Sequence, residues 1–275
     1  MDDGPSIALP RVSRRRLILD ALKRGRTHSY GADRSQRAEL HLPPGAGPHP
    51  LMVVIHGGSW QDRYGRIVMR ALVGDLVRRG WAAWNIEYRR IGNGGGWPHT
   101  FADVAAAIDF IPELHAPLDL DRVAILGHSA GGQLALWAAS REHLPAGAPG
   151  FIDGAPRVRL SRVISQAGVC DLTGAYHRWR GGAVRELMGG SPEDLPDRYG
   201  AADPMRLLAP AVPTLLVHGS ADETVSIELS RSYERAARAA GCDIELVEIE
   251  GEAGRHRAHI DPRGAAWAAV VERLR

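Results

Sequence analysis

The sequence predicts an α/β protein, with a mostly parallel central sheet, helices on both faces and a small cap inserted at about residues 171 to 208. Three observations carry that expectation. Short apolar runs alternate with longer helix-like runs along most of the 275 residues, the pattern of strands buried on both faces. A Gly-x-Ser-x-Gly pentapeptide, Gly127 to Gly131, lies between the apolar run Val123 to Leu126 and the helix-like run Gly132 to Ala139. A glycine pair, Gly57-Gly58, directly follows His56 and the apolar run Leu51 to Ile55.

In chain order, a basic N-terminal extension covers 1 to 29, and one domain covers 30 to 275. Arg11, Arg14, Arg15 and Arg16 precede an apolar stretch that is cut short by Asp20 and Lys23. That stretch is too short for a signal peptide or a membrane span, so a basic amphipathic helix or a frayed tail is expected. Strands follow near 37 to 42, 51 to 56 and 81 to 88, with a helix near 65 to 79. The Pro- and Gly-rich segment from Pro43 to Pro48 is a turn rather than a linker, as is Pro145 to Gly150. Thr100 and Asp103 read as a capping-box variant opening a helix near 100 to 111, which makes Asp103 structural. A strand near 123 to 128 leads into a helix near 131 to 141, and another strand lies near 163 to 168. From Asp171 to Leu208 no strand pattern recurs, and an excursion of that length between sheet strands reads as a cap. Beyond it lie a strand near 214 to 219, a helix near 226 to 240 capped by Ser226, and a strand near 244 to 250. The last helix is expected at 262 to 274, opened by Asp261-Pro262.

The Gly-His-Ser-Ala-Gly stretch, placed between strand and helix, reads as a nucleophile elbow with Ser129 at its tip. The turn is so tight that Gly127 and Gly131 must lack a β-carbon. Acyl transfer also needs N–H donors aimed at the oxygen that turns negative in the tetrahedral intermediate. Gly58, Ser59 and Ala130 are the expected donors, and His56 is expected to brace their loop rather than act as a base. A serine nucleophile needs a base, and the base needs an orienting carboxylate. Asp222 lies just past the strand-like Thr214 to Val217 and is preferred over Glu223 as that carboxylate. Of the 12 histidines, only His256 and His259 lie in the loop after the final strand, where the order Ser, Asp, His places the base.

With these residues the chain resembles the α/β-hydrolase family from about Tyr30 to its C-terminus, and within it the esterases and lipases with an HGGx oxyanion motif. Kynurenine-formamidase-like and BD-FAE-type, feruloyl-esterase-like members belong to that group. The resemblance implies that the base lies five residues before the Asp-Pro that opens the last helix. His256 has that spacing to Asp261, and His259 is the alternative. Relatives carry Gly before this histidine and often an aromatic after it, whereas here both flanks are arginine. Ser59 stands where many esterases have a third glycine.

The expected activity is therefore a serine hydrolase. It would cleave a carboxyl ester or a (form)amide of a small, possibly aromatic, substrate through Ser129, Asp222 and His256, with no metal and no organic cofactor. Trp60, Trp97 and Trp179 are candidates to line an aromatic pocket, and Arg178, Arg180 and Arg185 of the cap are either solvated charges or contacts for an acidic substrate group. A biosynthetic acyltransferase or cyclase would keep the same triad, and a silent ligand-binding protein of this fold would usually lose a member of it. The net charge of +2, from 34 basic and 32 acidic residues, is too balanced to point to nucleic acid. No membrane association is expected, and oligomeric state is left open. The two cysteines, Cys170 and Cys242, fit no metal spacing and read as reduced thiols of a cytoplasmic protein, with a single long-range disulfide as the alternative.

Overall fold

The computed structural model describes Ser13, Arg15, residues 24–208 and residues 212–274. Eight strands form one sheet: β1 (Arg26–Ser29), β2 (Arg37–His41), β3 (His49–Ile55), β4 (Ala82–Ile86), β5 (Leu118–His128), β6 (Leu160–Gln166), β7 (Thr214–Gly219) and β8 (Ile244–Ile249). Their spatial order is β1-β2-β4-β3-β5-β6-β7-β8. β2 is antiparallel to both its neighbours, β1 and β4, and the pairings from β4 through β3 to β8 are parallel.

Because successive side chains of a strand point to opposite faces, β3 feeds two cores at once. Leu51, Val53 and Ile55 pack on one face with residues of α2 (His99–Asp109), α3 (Ala130–Ala139) and α7 (Ile227–Ala239). Met52 and Val54 pack on the other with α1 (Arg70–Arg78) and α8 (Ala265–Glu272). Asp75 ties those last two helices together. Its buried carboxylate accepts from Arg78, from Arg79 and, at 2.6 Å, from the indole N–H of Trp267. The chain leaves central β3 toward β4 and returns across it to β5, so β3 and β5 flank a topological switch point. In an open α/β sheet, ligands bind in the crevice outside the carboxyl ends of such strands.

The cap leaves the sheet after β6 and returns at β7 as three short helices, α4 (Leu172–Arg178), α5 (Gly182–Met188) and α6 (Pro196–Ala202). Its two ends are latched by Asp203. This fully buried carboxylate accepts from the Leu172 N–H at 2.8 Å, the Thr173 N–H at 2.9 Å and the Thr173 hydroxyl at 2.7 Å. Burial, followed by the nearby Asp171 charge, raises the pKa of Asp203 above the usual carboxylate range.

Three expectations need correction. The sheet begins at Arg26, ahead of residue 30, because the polar Arg26–Ser29 gains strand geometry by pairing with β2 rather than from any apolar alternation of its own. Asp261-Pro262 does not open the last helix. Asp261 instead closes a turn, accepting the Arg263 N–H at 3.0 Å on its side chain and the Gly264 N–H at 2.9 Å on its carbonyl, and α8 starts at Ala265. The Thr100/Asp103 capping box does not form. The Thr100 hydroxyl donates to the Arg89 carbonyl at 2.6 Å, and Asp103 holds the Arg89 guanidinium with contacts of 2.9 and 2.7 Å. Asp103 is structural, as expected, by a different bond. Ser226 does cap α7, accepting the Glu228 N–H at 3.4 Å. Cys170 and Cys242 are both free thiols. The expected basic helix at the N-terminus falls on residues outside the described ones, apart from Ser13 and Arg15.

Candidate active site

Ile55 of β3 pairs directly with Gly127 of β5, so the loop after β3 and the elbow after β5 emerge side by side at the switch point. The elbow is tight: a β-carbon on Gly127 would lie 1.9 Å from the Gly131 carbonyl oxygen, and one on Gly131 would lie 2.3 Å from that of Ile55. Ser129, at its tip, has φ 57° and ψ −121°, a conformation a residue with a β-carbon holds only when its surroundings enforce it. Its N–H donates to the Gln166 carbonyl at 2.8 Å. Ser129 as a whole is 6 % exposed.

The Ser129 hydroxyl lies 3.0 Å from Nε2 of His256, and Nδ1 of His256 lies 2.7 Å from Oδ2 of Asp222. The other carboxylate oxygen of Asp222 accepts the N–H groups of Thr224 and Val225, each at 2.9 Å. Burial alone would raise the Asp222 pKa, but hydrogen bonds from His218, His256 and the Val225 N–H outweigh it and hold the carboxyl far below its ordinary value. Ser129, Asp222 and His256, the last preferred over His259 by the spacing the resemblance implies, thus form one continuous chain of contacts.

His259 does not take part in that chain. Its ring is fully buried, with Nδ1 3.2 Å from the Arg255 carbonyl and 3.3 Å from that of His256, while its own carbonyl accepts from the Gln166 amide at 3.0 Å. Burial, with the neighbouring His218 charge, pushes its pKa down to about 4. His128, within the elbow, steadies the same loop, its Nε2–H donating to the His256 carbonyl at 3.0 Å. Burial, then the charges of His256 and His259, hold His128 well below the ordinary histidine range.

Gly58, Ser59 and Trp60 all have positive φ, at 120°, 54° and 56°. Neither the Gly58 nor the Ser59 N–H has an acceptor among the described residues, and Ala130 is the first residue of α3, where helix N–H groups lack intrahelical partners. The loop is held by a network that sequence reading missed. Glu87 accepts from His56 Nε2 at 2.7 Å and from the Arg66 N–H at 3.1 Å, and His56 stacks on Tyr88 with ring centroids 4.5 Å apart. Tyr88 also donates to the His56 carbonyl at 2.9 Å. His56 therefore braces the loop, as expected. Its partner Glu87 directly follows β4 and carried no local signal in the sequence.

Of the three tryptophans, Trp60 cannot line an open pocket: it is 1 % exposed, and its indole N–H donates to Gln133 at 3.2 Å inside the core. Trp97 and Trp179 are half-buried against that core, and the Trp97 N–H donates to Leu187 of the cap at 2.7 Å. Arg178, Arg180 and Arg185 are exposed on the cap. Among the described residues, no group of three or more His, Cys, Asp or Glu could hold a metal ion, and no helix is long and apolar enough to cross a membrane.

The BD-FAE family model matches residues 39–236. Esterase LipQ of Mycobacterium tuberculosis is 31 % identical over 204 residues, covering 70 % of this chain and 46 % of LipQ. The probable carboxylic ester hydrolase LipM of the same organism is 27 % identical, covering 72 % of this chain and 46 % of LipM. The chain thus spans about half the length of these curated relatives. Among solved structures, a truncated carbohydrate esterase from gut microbiota superposes with TM-score 0.77 at 20 % identity, covering 91 % of this chain and 95 % of that one. Thermogutta terrifontis esterase 2, phosphoramylated by tabun, superposes with TM-score 0.70 at 25 % identity over 90 % of each chain.

Proposed function

From the premise that the chain belongs to the BD-FAE family of α/β-hydrolases, we propose that it is a serine hydrolase acting on carboxyl esters. The observation that carries this reading is the unbroken chain from the Ser129 hydroxyl through His256 to Asp222, at 3.0 and 2.7 Å, on a strained elbow. His256 takes the Ser129 proton as Oγ attacks the substrate carbonyl carbon, and Asp222 orients the ring and stabilises the imidazolium that forms. The oxygen that becomes negative is received by the N–H groups of Gly58, Ser59 and Ala130, each such donor worth about 3 kcal/mol of barrier. His256 then protonates the leaving alcohol, and a water molecule activated by the same ring hydrolyses the acyl-enzyme.

The names of the relatives favour esters over amides, and the phosphoramylation of the Thermogutta esterase by tabun is in keeping with an activated nucleophile in this fold. Trp97, bonded to the cap, and Trp179 within it are aromatic residues open to a substrate, whereas the buried Trp60 is not. Two free cysteines accord with a reducing, cytoplasmic setting, which is part of the proposal.

The test combines a fluorophosphonate probe with a panel of p-nitrophenyl esters and N-formylkynurenine. Labelling and ester hydrolysis that both vanish in Ser129→Ala are expected. Ester turnover that survives in a folded Ser129→Ala protein would overturn the proposal, and turnover of the formyl amide alone would redirect it to amide chemistry.

A further inference from the structure

A second imidazole lies behind the candidate acid. His218, the last residue but one of β7, is fully buried, and its Nε2 lies 2.9 Å from the Val225 carbonyl and 3.4 Å from Oδ2 of Asp222. Both neighbours are oxygen acceptors with no hydrogen to give, so Nε2 must carry the hydrogen in either protonation state of the ring. On the other side, Nδ1 lies 2.7 Å from the Ser230 hydroxyl of α7, which is itself 3.5 Å from the Cys170 thiol. With Nε2–H fixed, the neutral ring accepts the Ser230 proton at Nδ1. Oδ2 of Asp222 therefore faces two imidazoles, His256 Nδ1 at 2.7 Å and His218 Nε2 at 3.4 Å.

We propose that His218 is a positioning residue for the candidate acid, its Nε2–H shared between the Val225 carbonyl and Asp222 so that Oδ2 stays turned toward His256. This deepens the serine-hydrolase reading and rests on it. The carboxylate then has a donor at each side: the Thr224 and Val225 N–H groups fix Oδ1, and among the described residues, without His218, the only hold on Oδ2 is the ring it has to orient. Helix α7 supplies the stop through Ser230, which couples the helix packed on β7 to the acid. The titratable groups around the His218 ring are Asp222, His259 with centroids 6.2 Å away, Glu248 paired across β8, and Cys170 beyond Ser230.

His218→Met keeps a side chain of similar bulk and removes the donor, whereas His218→Gln can return an amide N–H near the Nε2 position. In the folded His218→Met protein, kcat for a p-nitrophenyl ester is expected to fall about 10- to 100-fold, the scale of a misplaced catalytic group. KM is expected to stay within about 2-fold, since nothing that binds substrate is touched. The acid limb of the kcat/KM profile is expected to move to lower pH, because a carboxylate free to turn away no longer stabilises the His256 imidazolium. His218→Gln should recover most of both. Ser230→Ala, which deletes one oxygen, gives a smaller kcat loss with the same direction of limb shift, and it stands in if His218→Met does not fold. Native kcat and pH profile in His218→Met, equal impairment of the Met and Gln variants, or an unchanged Ser230→Ala protein would each overturn the positioning role. A Ser129→Ala control run alongside separates the two ideas: if that protein stays active, the hydrolase reading has failed, and if it is dead while His218→Met is native, only this inference has.

Discussion

At φ 57° and ψ −121°, Ser129 holds a conformation that costs an L-residue about 1–3 kcal/mol, and the contacts of Gly127 and Gly131 enforce it. Ser129→Ala keeps the β-carbon, and hence the same backbone requirement, so it should leave thermal stability nearly unchanged while lowering kcat by about 10³-fold or more. His256→Ala should match it in p-nitrophenyl ester assays. His259→Ala removes a buried ring that makes no hydrogen bond with Ser129 or Asp222 among the described residues and packs beside His128 and His218, so its main effect belongs to stability. A loss of about 1–3 kcal/mol by denaturant unfolding, with most of kcat retained, is expected. A dead His259→Ala beside an active His256→Ala would reverse the two roles.

The elbow and the oxyanion-side loop are rigid because neighbouring strands deliver them and a buried charge network fastens them. Gly131→Ala would drive a β-carbon to 2.3 Å from the Ile55 carbonyl, forcing α3 away from β3. A loss of about 3 kcal/mol or more, or failure to accumulate as folded protein, is expected from expression and thermal unfolding. Glu87→Ala strips His56 and the Arg66 N–H of their acceptor, and breaking such a buried pair costs about 3–5 kcal/mol. Its kcat should fall with KM little changed if Gly58 and Ser59 are the oxyanion donors proposed above, because their N–H groups lose their aim. What the sequence made legible at this scale were features written in short stretches: the apolar strands, the Gly-x-Ser-x-Gly turn and the glycine pair, with Asp222 placed by chain order and His256 separated from His259 only by the spacing that the family resemblance implies. What it hid depends on partners far apart in the chain. The strand Arg26–Ser29 has no apolar alternation, and only its neighbour makes it a strand. Trp60 looks like a pocket residue until Gln133, 73 positions later, is seen to bind it. The support of His56 by Glu87 spans 31 positions, and no local pattern announces it.

Across the whole molecule, buried histidines set the response to acid. His259 is pushed down to about 4 by burial, and His128, His41 and His28 are lowered chiefly for the same reason. Above the unfolded value of about 6.5 neither state binds these protons, and their contribution is intact. As pH falls through about 6.5 toward 4, the unfolded chain takes up protons that the native rings refuse, so stability declines, by up to about 1.4 kcal/mol per pH unit for His259. Asp203, whose carboxyl is raised by burial, opposes this by gaining its proton first in the folded state. Asp222 adds to the loss only at lower pH still, below the ordinary carboxylate value. A melting temperature that drops steadily between pH 6.5 and 4 is the expected outcome, and a flat profile there would contradict the neutral, buried rings. His259→Gln should flatten the upper part of that decline.

The Asp203 latch makes the cap a cassette. Leu172 and Asp203 meet through a 2.8 Å hydrogen bond, so the cap helices between them form a loop closed at its own base, whatever its length. Sheet, elbow and charge network can then stay constant while the intervening helices are lengthened, shortened or exchanged for those of a relative, provided the carboxylate and the two amides it grips are kept. A change of cap is then a change of one closed segment, leaving the strands and the Ser129 elbow beneath it unaltered.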